Sequence, residues 1–344
     1  MLPARYSNIL VRATNWLGDA VMSLPALRTI RCAFGDARIT IVAKPWVADL
    51  YARERLADHI LPYSARGFRD KMRFAFSLRQ SGFDCAILLQ NAFEAAAMAS
   101  VARIPNIIGY NRDGRGFLMS QSIAVPKPGE IPPHERFYYL ELLRRAGIIE
   151  GLPASDAIRL ESAPEARTSG RALFAELGIR EPAIGVSPGA AFGTAKQWLP
   201  ERFAEAAADV AANRAASVVL FGSAAERALC DGVASAITAR GVAVRNLAGE
   251  TALAQFIDLA AACVVFLTND SGAMHVASAL GVPVVAVFGS TDENATAPAS
   301  PLARIIKEPV ECSPCLLREC PIDHRCMTGV PATRVTQAAL DLLK

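Results

Sequence analysis

The run 264–289, VVFLTNDSGAMHVASALGVPVVAVFG, is the part of this sequence that most restricts the fold. It predicts an apolar strand, a polar turn at 268–272, a helix and a second apolar strand, which together make one βαβ unit. In open α/β sheets, ligands bind at the carboxyl ends of the strands. The backbone N–H groups that begin a helix also favour a phosphate. The polar turn is therefore a candidate ligand site.

Four residues in and after this turn are the candidate ligand contacts. Asp270 can accept hydrogen bonds from sugar hydroxyls, and Ser271 and Gly272 allow backbone donors to come close to a ligand. His275 lies four residues after Ser271 and so falls on the same helix face. The simpler interpretation is an ordinary helix capped by Asp270 or Ser271. Capping accounts for one polar residue but not for the cluster with His275, so ligand binding is favoured.

Predicted strands and helices alternate along the rest of the chain. Strands are expected at 8–13, 38–43, 85–89, 183–187, 217–221 and 242–246, and helices at 19–32, 94–102, 137–146, 201–213, 225–240 and 251–262. A loop region is expected to begin at 104–113. This alternation predicts parallel βαβ units and an α/β protein of two Rossmann-like, doubly wound domains facing across a cleft.

The length of 344 residues exceeds the usual size of a single core, so two domains are expected. We place them at 1–165 and 166–330, the second with a cysteine-rich loop at 312–326, followed by a C-terminal helix at 331–344. A hydrophobic content of 52% and a charged content of 20% are typical of a soluble globular protein. Because the apolar runs are too short to span a membrane and no signal peptide is evident, we expect a cytoplasmic location.

Charge is distributed unevenly between the two halves. The net charge of +3 is too small to indicate a nucleic-acid partner. Residues 1–165 hold 21 Lys and Arg against 16 Asp and Glu, whereas residues 166–344 hold 15 against 17. The basic excess suits an anionic partner such as an acidic glycolipid at a membrane surface, or it reflects only a solvated surface. The candidate contacts to such an acceptor are Arg66, Arg69, Lys71, Arg73, Arg112 and Arg115.

Two predicted strand ends carry charged residues suited to catalysis. Asp19 follows Gly18 just after the first strand, where it could take a proton from a hydroxyl group; the alternative is that it only caps its helix. Lys196 ends a loop of small residues that begins with Ser187 and Gly189. A loop of this kind with one lysine before a helix suits a pyrophosphate, although a lysine on the surface would give the same pattern.

Glu226 follows a third strand end, in the sequence FGSAAE. Its carboxylate is placed to accept hydrogen bonds from a ribose or a base, or simply to favour the N-terminus of the following helix. The sequence leaves both interpretations open. Neither opening strand is followed by GxGxxG, which counts against a Rossmann-type oxidoreductase.

Four of the eight cysteines are crowded into fifteen residues, at Cys312, Cys315, Cys320 and Cys326. A disulfide framework is not expected in a cytoplasmic chain. Four thiolates would suit a structural zinc ion. The first spacing is that of a metal knuckle and the others are irregular, so a structural zinc site and free thiols both remain open.

These blocks, in this order, resemble glycosyltransferase family 9, the ADP-heptose:lipopolysaccharide heptosyltransferases. The resemblance covers nearly the whole chain and rests on NWLGDAVMSLPALRTI, SPGAAFGTAKQW, LFGSAAE, NLAGET and TNDSGAMHVASALGVPVVAVFG. It is greatest for the branch that adds the second inner-core heptose. The threonine pair that some members place before the lysine is missing here, where residues 190–194 occupy the loop.

The resemblance implies a GT-B fold, with the acceptor in the N-terminal domain and ADP-heptose in the C-terminal one. It implies an inverting transfer of heptose to the heptosyl-Kdo-lipid A inner core of lipopolysaccharide, at the cytoplasmic face of the inner membrane. Asp19 is then the catalytic base and Lys196 contacts the donor phosphates. The other donor-binding residues are Ser187, Gly189, Glu226, Asp270, Ser271, Gly272 and His275. No metal cofactor is required, because no DxD pair stands at an obvious metal-binding strand end.

Two alternatives to this reaction remain open. One is a family member that uses another sugar donor or another acceptor, including a protein. The other is a non-catalytic binder of nucleotide-sugars, which the presence of Asp19 disfavours.

Overall fold

The computed structural model describes residues 6–153 and 157–344. The chain divides into two compact units, Met1–Ser155 and Asp156–Lys344. Each contains a six-stranded sheet flanked by helices, which confirms the predicted α/β class. None of the helices in the described ranges is long and apolar enough to cross a membrane.

Residues 157–165 belong with the second unit, although the sequence analysis assigned them to the first domain. The N–H of Ile158 donates to the carbonyl of Ala299, and the N–H of Leu160 donates to that of Ala279. These hydrogen bonds join the segment to the end of a helix and to a loop that lie more than a hundred residues later in the sequence. The composition of this polar, proline-containing stretch predicts a linker but gives no sign of such bonds.

The first unit is a parallel sheet with the strand order β3-β2-β1-β4-β5-β6. Its strands are β1 (Asn8–Arg12), β2 (Arg38–Ala43), β3 (His59–Pro62), β4 (Cys85–Leu88), β5 (Asn106–Tyr110) and β6 (Gln121–Ile123). Its helices are α1 (Leu17–Met22), α2 (Leu24–Ala33), α3 (Pro45–Ala52), α4 (Phe68–Arg79), α5 (Phe93–Val101) and α6 (Glu135–Arg145), with a short 3₁₀ helix at Gly116–Leu118. The central strands are buried on both faces, as parallel strands covered by helices are.

Two sequence-based predictions for this unit are wrong. The single helix expected at 19–32 is divided at Ser23, because Pro25 starts a new helix in its first turn. The loop expected from 104–113 contains β5, a buried strand. The backbone of Gly109 is closely packed, since a Cβ at this position would lie 2.9 Å from the sulfur of Met119 and 3.2 Å from the Cβ of Leu88. The glycine that suggested a loop therefore allows close packing in a strand.

The second unit also contains a parallel six-stranded sheet, with the strand order β12-β11-β10-β7-β8-β9. Its strands are β7 (Ala183–Ser187), β8 (Ser217–Leu220), β9 (Val244–Asn246), β10 (Val265–Asn269), β11 (Val284–Phe288) and β12 (Ala303–Lys307). Its helices are α7 (Ala163–Glu176), α8 (Pro200–Arg214), α9 (Arg227–Thr238), α10 (Leu253–Ala262), α11 (Gly272–Ala279), α12 (Glu293–Thr296), α13 (Arg325–Thr328) and α14 (Ala332–Leu342), with 3₁₀ helices at Thr194–Lys196 and Ala224–Glu226.

The core of the second unit fixes the segment around Lys196. Trp198, two residues later, is 1% exposed and packs edge-on against Phe203. Its indole N–H donates to the carbonyl of Val330 at 3.0 Å. A buried tryptophan with its N–H bonded is a strong anchor. The loop that carries Lys196 is thereby attached to the C-terminal segment of the chain.

Candidate functional site

Asp270 and Lys196 form an ion pair at the carboxyl edge of the second sheet. Asp270 follows β10 directly and is 5% exposed. The Nζ of Lys196 lies 2.6 Å from the Oδ2 of Asp270, and the hydroxyl of Thr291 donates to the same oxygen at 2.6 Å. The Lys196 side chain is only 14% exposed. Lys196 is therefore not an ordinary surface lysine but part of a partly buried charged group.

Asn269 holds the loop that leads to Lys196. Its side-chain amide donates to the carbonyl of Pro188 at 2.7 Å, and its Oδ1 accepts from the N–H of Trp198 at 2.9 Å. One fully buried side chain thus bridges both ends of the small-residue loop. The sequence analysis placed Asn269 in the polar turn but did not assign it this structural role. The role could not be inferred because it depends on a contact between segments about eighty residues apart.

Glu226 lies beside the start of the same loop. Its Oε2 accepts from both the N–H and the hydroxyl of Ser223, at 2.7 and 2.8 Å, in a capping box. Its Oε1 approaches Gly189 so closely that a Cβ there would lie 1.9 Å away. The capping interpretation of Glu226 is therefore correct, and the same carboxylate also borders the loop that begins with Ser187.

The turn after Asp270 begins α11, and Ser271 is its N-cap. The hydroxyl of Ser271 accepts from the N–H of Met274 at 3.4 Å and lies 3.2 Å from that of Thr268. Gly272 is the first residue of the helix, and His275 is buried on it. Ser271 satisfies the capping interpretation, while Asp270 points to Lys196 instead. The structure thus brings the predicted donor residues of this turn to one sheet edge with Lys196.

Asp19 lies in the first turn of α1, in the other unit. The N-cap of that helix is Trp16 and it makes no side-chain capping bond, so Asp19 is not the cap. Burial raises the pKa of Glu135, and the nearby charge of Asp19 raises it further. The same two carboxylates add to the effect of burial on the pKa of Tyr139. Asp19 therefore belongs to a group of acidic side chains and buried phenols that the sequence did not reveal.

Basic side chains collect at the carboxyl edge of the first sheet. Arg12 and Lys44 both lie over the ring of Tyr63, at 5.1 and 4.5 Å from its centroid. Burial lowers the pKa of Arg12 to about 10. Lys71 donates to Glu94 at 2.5 Å, and the Tyr63 hydroxyl donates to the same carboxylate. The edge thus carries more positive than negative charge.

The predicted acceptor contacts do not share one environment. Arg66, Arg69 and Arg73 are exposed, and so is Arg112, whose pKa is raised chiefly by the neighbouring Tyr138. Arg115 differs, because it is 0% exposed. Its guanidinium donates to the carbonyls of residues 110, 90 and 92 and to the side chain of Asn91. A direct contact between Arg115 and an acceptor does not fit this structure, since its hydrogen bonds stabilise the chain itself.

The four clustered cysteines differ in exposure, since Cys326 is buried while Cys312 and Cys315 are exposed. Burial and the other three thiols raise the pKa of Cys326. In the described part of the chain, no three His, Cys, Asp or Glu side chains are grouped so as to hold a metal ion. The structural zinc site therefore stays a prediction.

The chain is similar to one family of known proteins. The model of glycosyltransferase family 9 (heptosyltransferase) matches residues 71–325. The chain belongs to glycosyltransferase family 9. It is 34% identical to lipopolysaccharide heptosyltransferase 2 of Salmonella typhimurium and 33% identical to that of Escherichia coli, each over 87% of both chains. These similarities identify an enzyme of the glycosyltransferase class and exclude an oxidoreductase.

A solved structure agrees with the family assignment. The chain matches the structure of the E. coli ADP-heptose lipopolysaccharide heptosyltransferase II with a TM-score of 0.83, at 30% identity and over 98% of both chains. The two parallel six-stranded sheets are those expected of a GT-B heptosyltransferase. The resemblance stated from sequence blocks is thereby confirmed for both family and fold.

Proposed function

We propose that this enzyme transfers heptose from ADP-heptose to the heptosyl-Kdo-lipid A inner core of lipopolysaccharide, with inversion at the anomeric carbon. The observation that carries the proposal is the ion pair of Lys196 and Asp270 at the start of α11, beside the small-residue loop. A lysine, a glycine-containing loop and a helix N-terminus at one sheet edge suit a diphosphate. The heptose donor and the lipopolysaccharide acceptor are inferred from the names of the relatives.

We assign the activation of the acceptor to Asp19. Its carboxylate takes the proton of an acceptor hydroxyl as that oxygen forms a bond to the anomeric carbon. The bond from this carbon to the ADP oxygen breaks in the same step, through a transition state with oxocarbenium character. The charge of Asp19 acts on the nearby carboxyl of Glu135 and raises its pKa further, beyond the effect of burial.

We assign the stabilisation of the leaving group to Lys196. Negative charge grows on the ADP oxygen as the bond breaks, and a positioned cation stabilises it. Asp270 holds the lysine in place and is itself held by Thr291. Ser187, Gly189, Glu226, Gly272 and His275 complete the donor site in this proposal. No metal ion takes part, because the lysine and the helix N-terminus supply the positive charge.

We place the acceptor on the basic edge of the first unit. Arg66, Arg69, Lys71, Arg73 and Arg112 are the proposed contacts to its phosphates and acidic sugars, and Arg115 is no longer among them. The enzyme would then work at the cytoplasmic face of the inner membrane, in peripheral contact with its lipid-linked acceptor. Exposed arginines are suited to an anionic surface of this kind.

The experiment that tests the proposal is ADP release by the purified protein. ADP-heptose is supplied with and without a mono-heptosylated Kdo-lipid A acceptor. Release that depends on the acceptor supports both donor and reaction. A protein that binds ADP but releases none with this acceptor would require another acceptor or another sugar, which competition among nucleotide-sugars then identifies.

A further inference from the structure

The cysteine-rich loop lies directly against the loop that carries Lys196. The N–H of Ala195 donates to the carbonyl of Arg318 at 2.9 Å, and His324 Nε2 lies 3.1 Å from the carbonyl of Ala195. At the other side, the N–H of Leu316 donates to the carbonyl of Ser290 at 2.7 Å. The cysteine-rich loop is therefore anchored by backbone atoms to two segments of the proposed donor site.

Gly193 makes the approach of the two loops possible. A Cβ at this position would lie 2.2 Å from the carbonyl oxygen of Arg318 and 2.9 Å from its Cα. Because both of these are backbone atoms, no side-chain movement could relieve the overlap. The contact places residue 318 against Gly193, which lies three positions before Lys196 in the chain.

Arg318 and Lys196 share one aromatic neighbour. The Nζ of Lys196 lies 4.9 Å from the ring centroid of Phe192, and the guanidinium carbon of Arg318 lies 5.1 Å from the same centroid. Contacts of this length between a cation and a ring are attractive. The ring thus holds two cations close together, although like charges repel each other.

The two cations differ in how their charge is balanced. Lys196 is paired with Asp270, so the pair together has almost no net charge. Across the described residues, the side chain of Arg318 makes no ion pair and no hydrogen bond, and it is exposed. A diphosphate carries several negative charges, which a lysine already neutralised by a carboxylate cannot balance alone. An arginine with free donors suits phosphate oxygens particularly well, since its planar fork forms paired hydrogen bonds.

We propose that Arg318, held by the cysteine-rich loop, is a second cation that binds the diphosphate of the nucleotide-sugar donor. The inference rests on the proposed function, since it takes the Lys196 edge to be the donor site. The inference also assigns a role to the cysteine-rich loop, which positions Arg318 at the sheet edge that carries Lys196. Because the loop is anchored through the Arg318 carbonyl, a change of this side chain leaves the anchor in place.

The test is calorimetric binding of ADP, AMP and adenosine to the full chain and to Arg318→Met. Methionine keeps an unbranched side chain over Phe192 but has no charge. We expect a loss of ADP affinity of about tenfold, which is typical of one charge-assisted contact. Adenosine affinity should not change, and Arg318→Lys should recover part of the ADP affinity. The matched control is Arg240→Met, an exposed arginine after α9 at the opposite edge of the same sheet.

Each outcome has a distinct meaning. Equal ADP affinity in the unaltered protein and Arg318→Met would overturn the inference and leave the proposed function intact. An equal loss for adenosine and ADP would also overturn it, since the side chain would then act only by shaping the loop. Failure of the unaltered protein to bind ADP at all would instead contradict the proposed function.

Discussion

The ammonium of Lys196 lies 2.6 Å from the carboxylate of Asp270, a residue 74 positions later in the chain. The carboxylate is 5% exposed and the lysine side chain 14%. A pair that is this far out of water depends on both partners, because either charge alone is poorly solvated. The pair therefore couples the stability of the second unit to the charge that the proposed reaction needs.

The first prediction separates these two roles of Lys196. Lys196→Met should lower kcat about 100-fold or more, as loss of one preorganised charge does. It should also lower the free energy of unfolding by about 1–3 kcal/mol, because Asp270 is left without its cation. Lys196→Met/Asp270→Asn should regain stability but not activity. Thermal unfolding and steady-state kinetics check both parts; a double variant that regained activity would contradict the assignment.

The second prediction concerns Asp19 as the base. Asp19→Asn should lower kcat by about 10²–10⁴-fold, the usual contribution of a general base. ADP affinity should not change, because Asp19 lies in the first unit and the proposed donor residues lie in the second. Asp36→Asn, which alters an exposed carboxylate of the same unit, is the control. Full activity in Asp19→Asn would mean that another group takes the proton.

The sequence predicted the elements that carry the proposed donor site better than those at the edges of the sheets. The strands around residues 183–187 and 265–269 are apolar and end in polar residues, so their type and their functional end could both be read. Strands β3, β6 and β12 are only partly buried and lack a long apolar run, and they were missed. Edge strands gain their structure from one neighbour, which a local pattern does not show.

The site residues that the sequence missed are those whose role depends on distant contacts. Thr291 lies three residues after the end of β11, the strand next to β10 in the sheet, and this place near a neighbouring strand end is a signal that could have found it. Glu135 carried no such signal, since only the fold brings it near Asp19. Conversely, Arg115 was chosen for its charge alone, and its burial could not be inferred from its neighbours in the sequence.

The third prediction uses the raised pKa of Glu135. Burial, and then the charge of Asp19, raise this pKa above its ordinary value of 4.5. The folded protein therefore binds this proton more tightly than the unfolded chain does. The stability that Glu135 contributes to the folded protein is fully present below pH 4.5 and is lost as the pH rises through the raised pKa of this carboxyl.

Glu135→Gln should remove this loss of stability with rising pH. The Tm of the variant should match that of the unaltered protein at low pH and exceed it increasingly towards neutral pH. Asp19→Asn should weaken the same pH dependence of stability, since Glu135 then loses a neighbouring negative charge. Thermal scans of both variants across the pH range check the two effects. An unchanged pH dependence of Tm in Glu135→Gln would show that this carboxyl is not the group responsible.

The fourth prediction concerns metal ions. Dialysis against EDTA should leave kcat unchanged, because in the proposed mechanism Lys196, Arg318 and the N-terminus of α11 together stabilise the leaving ADP. The four clustered thiols are a separate matter, since a zinc ion needs all four within about 2.3 Å of it. Elemental analysis of the purified protein, with Cys312→Ser/Cys315→Ser as the comparison, tests this. One zinc per chain that the double variant lost would establish a structural site that this conformation does not display.

The last prediction tests the contact between the two loops of the donor site. Gly193→Ala places a Cβ about where the Arg318 carbonyl lies, 2.2 Å away in this structure. The loops must separate, which removes the hydrogen bond from Ala195 and moves Arg318 away from Phe192. The KM for ADP-heptose should therefore rise, with a smaller change in the KM for the acceptor. Gly232→Ala is the matched control, because its Cβ meets nothing within 4 Å and alanine favours the helix. If Gly193→Ala kept the donor KM of the control, the cysteine-rich loop would have no part in donor binding.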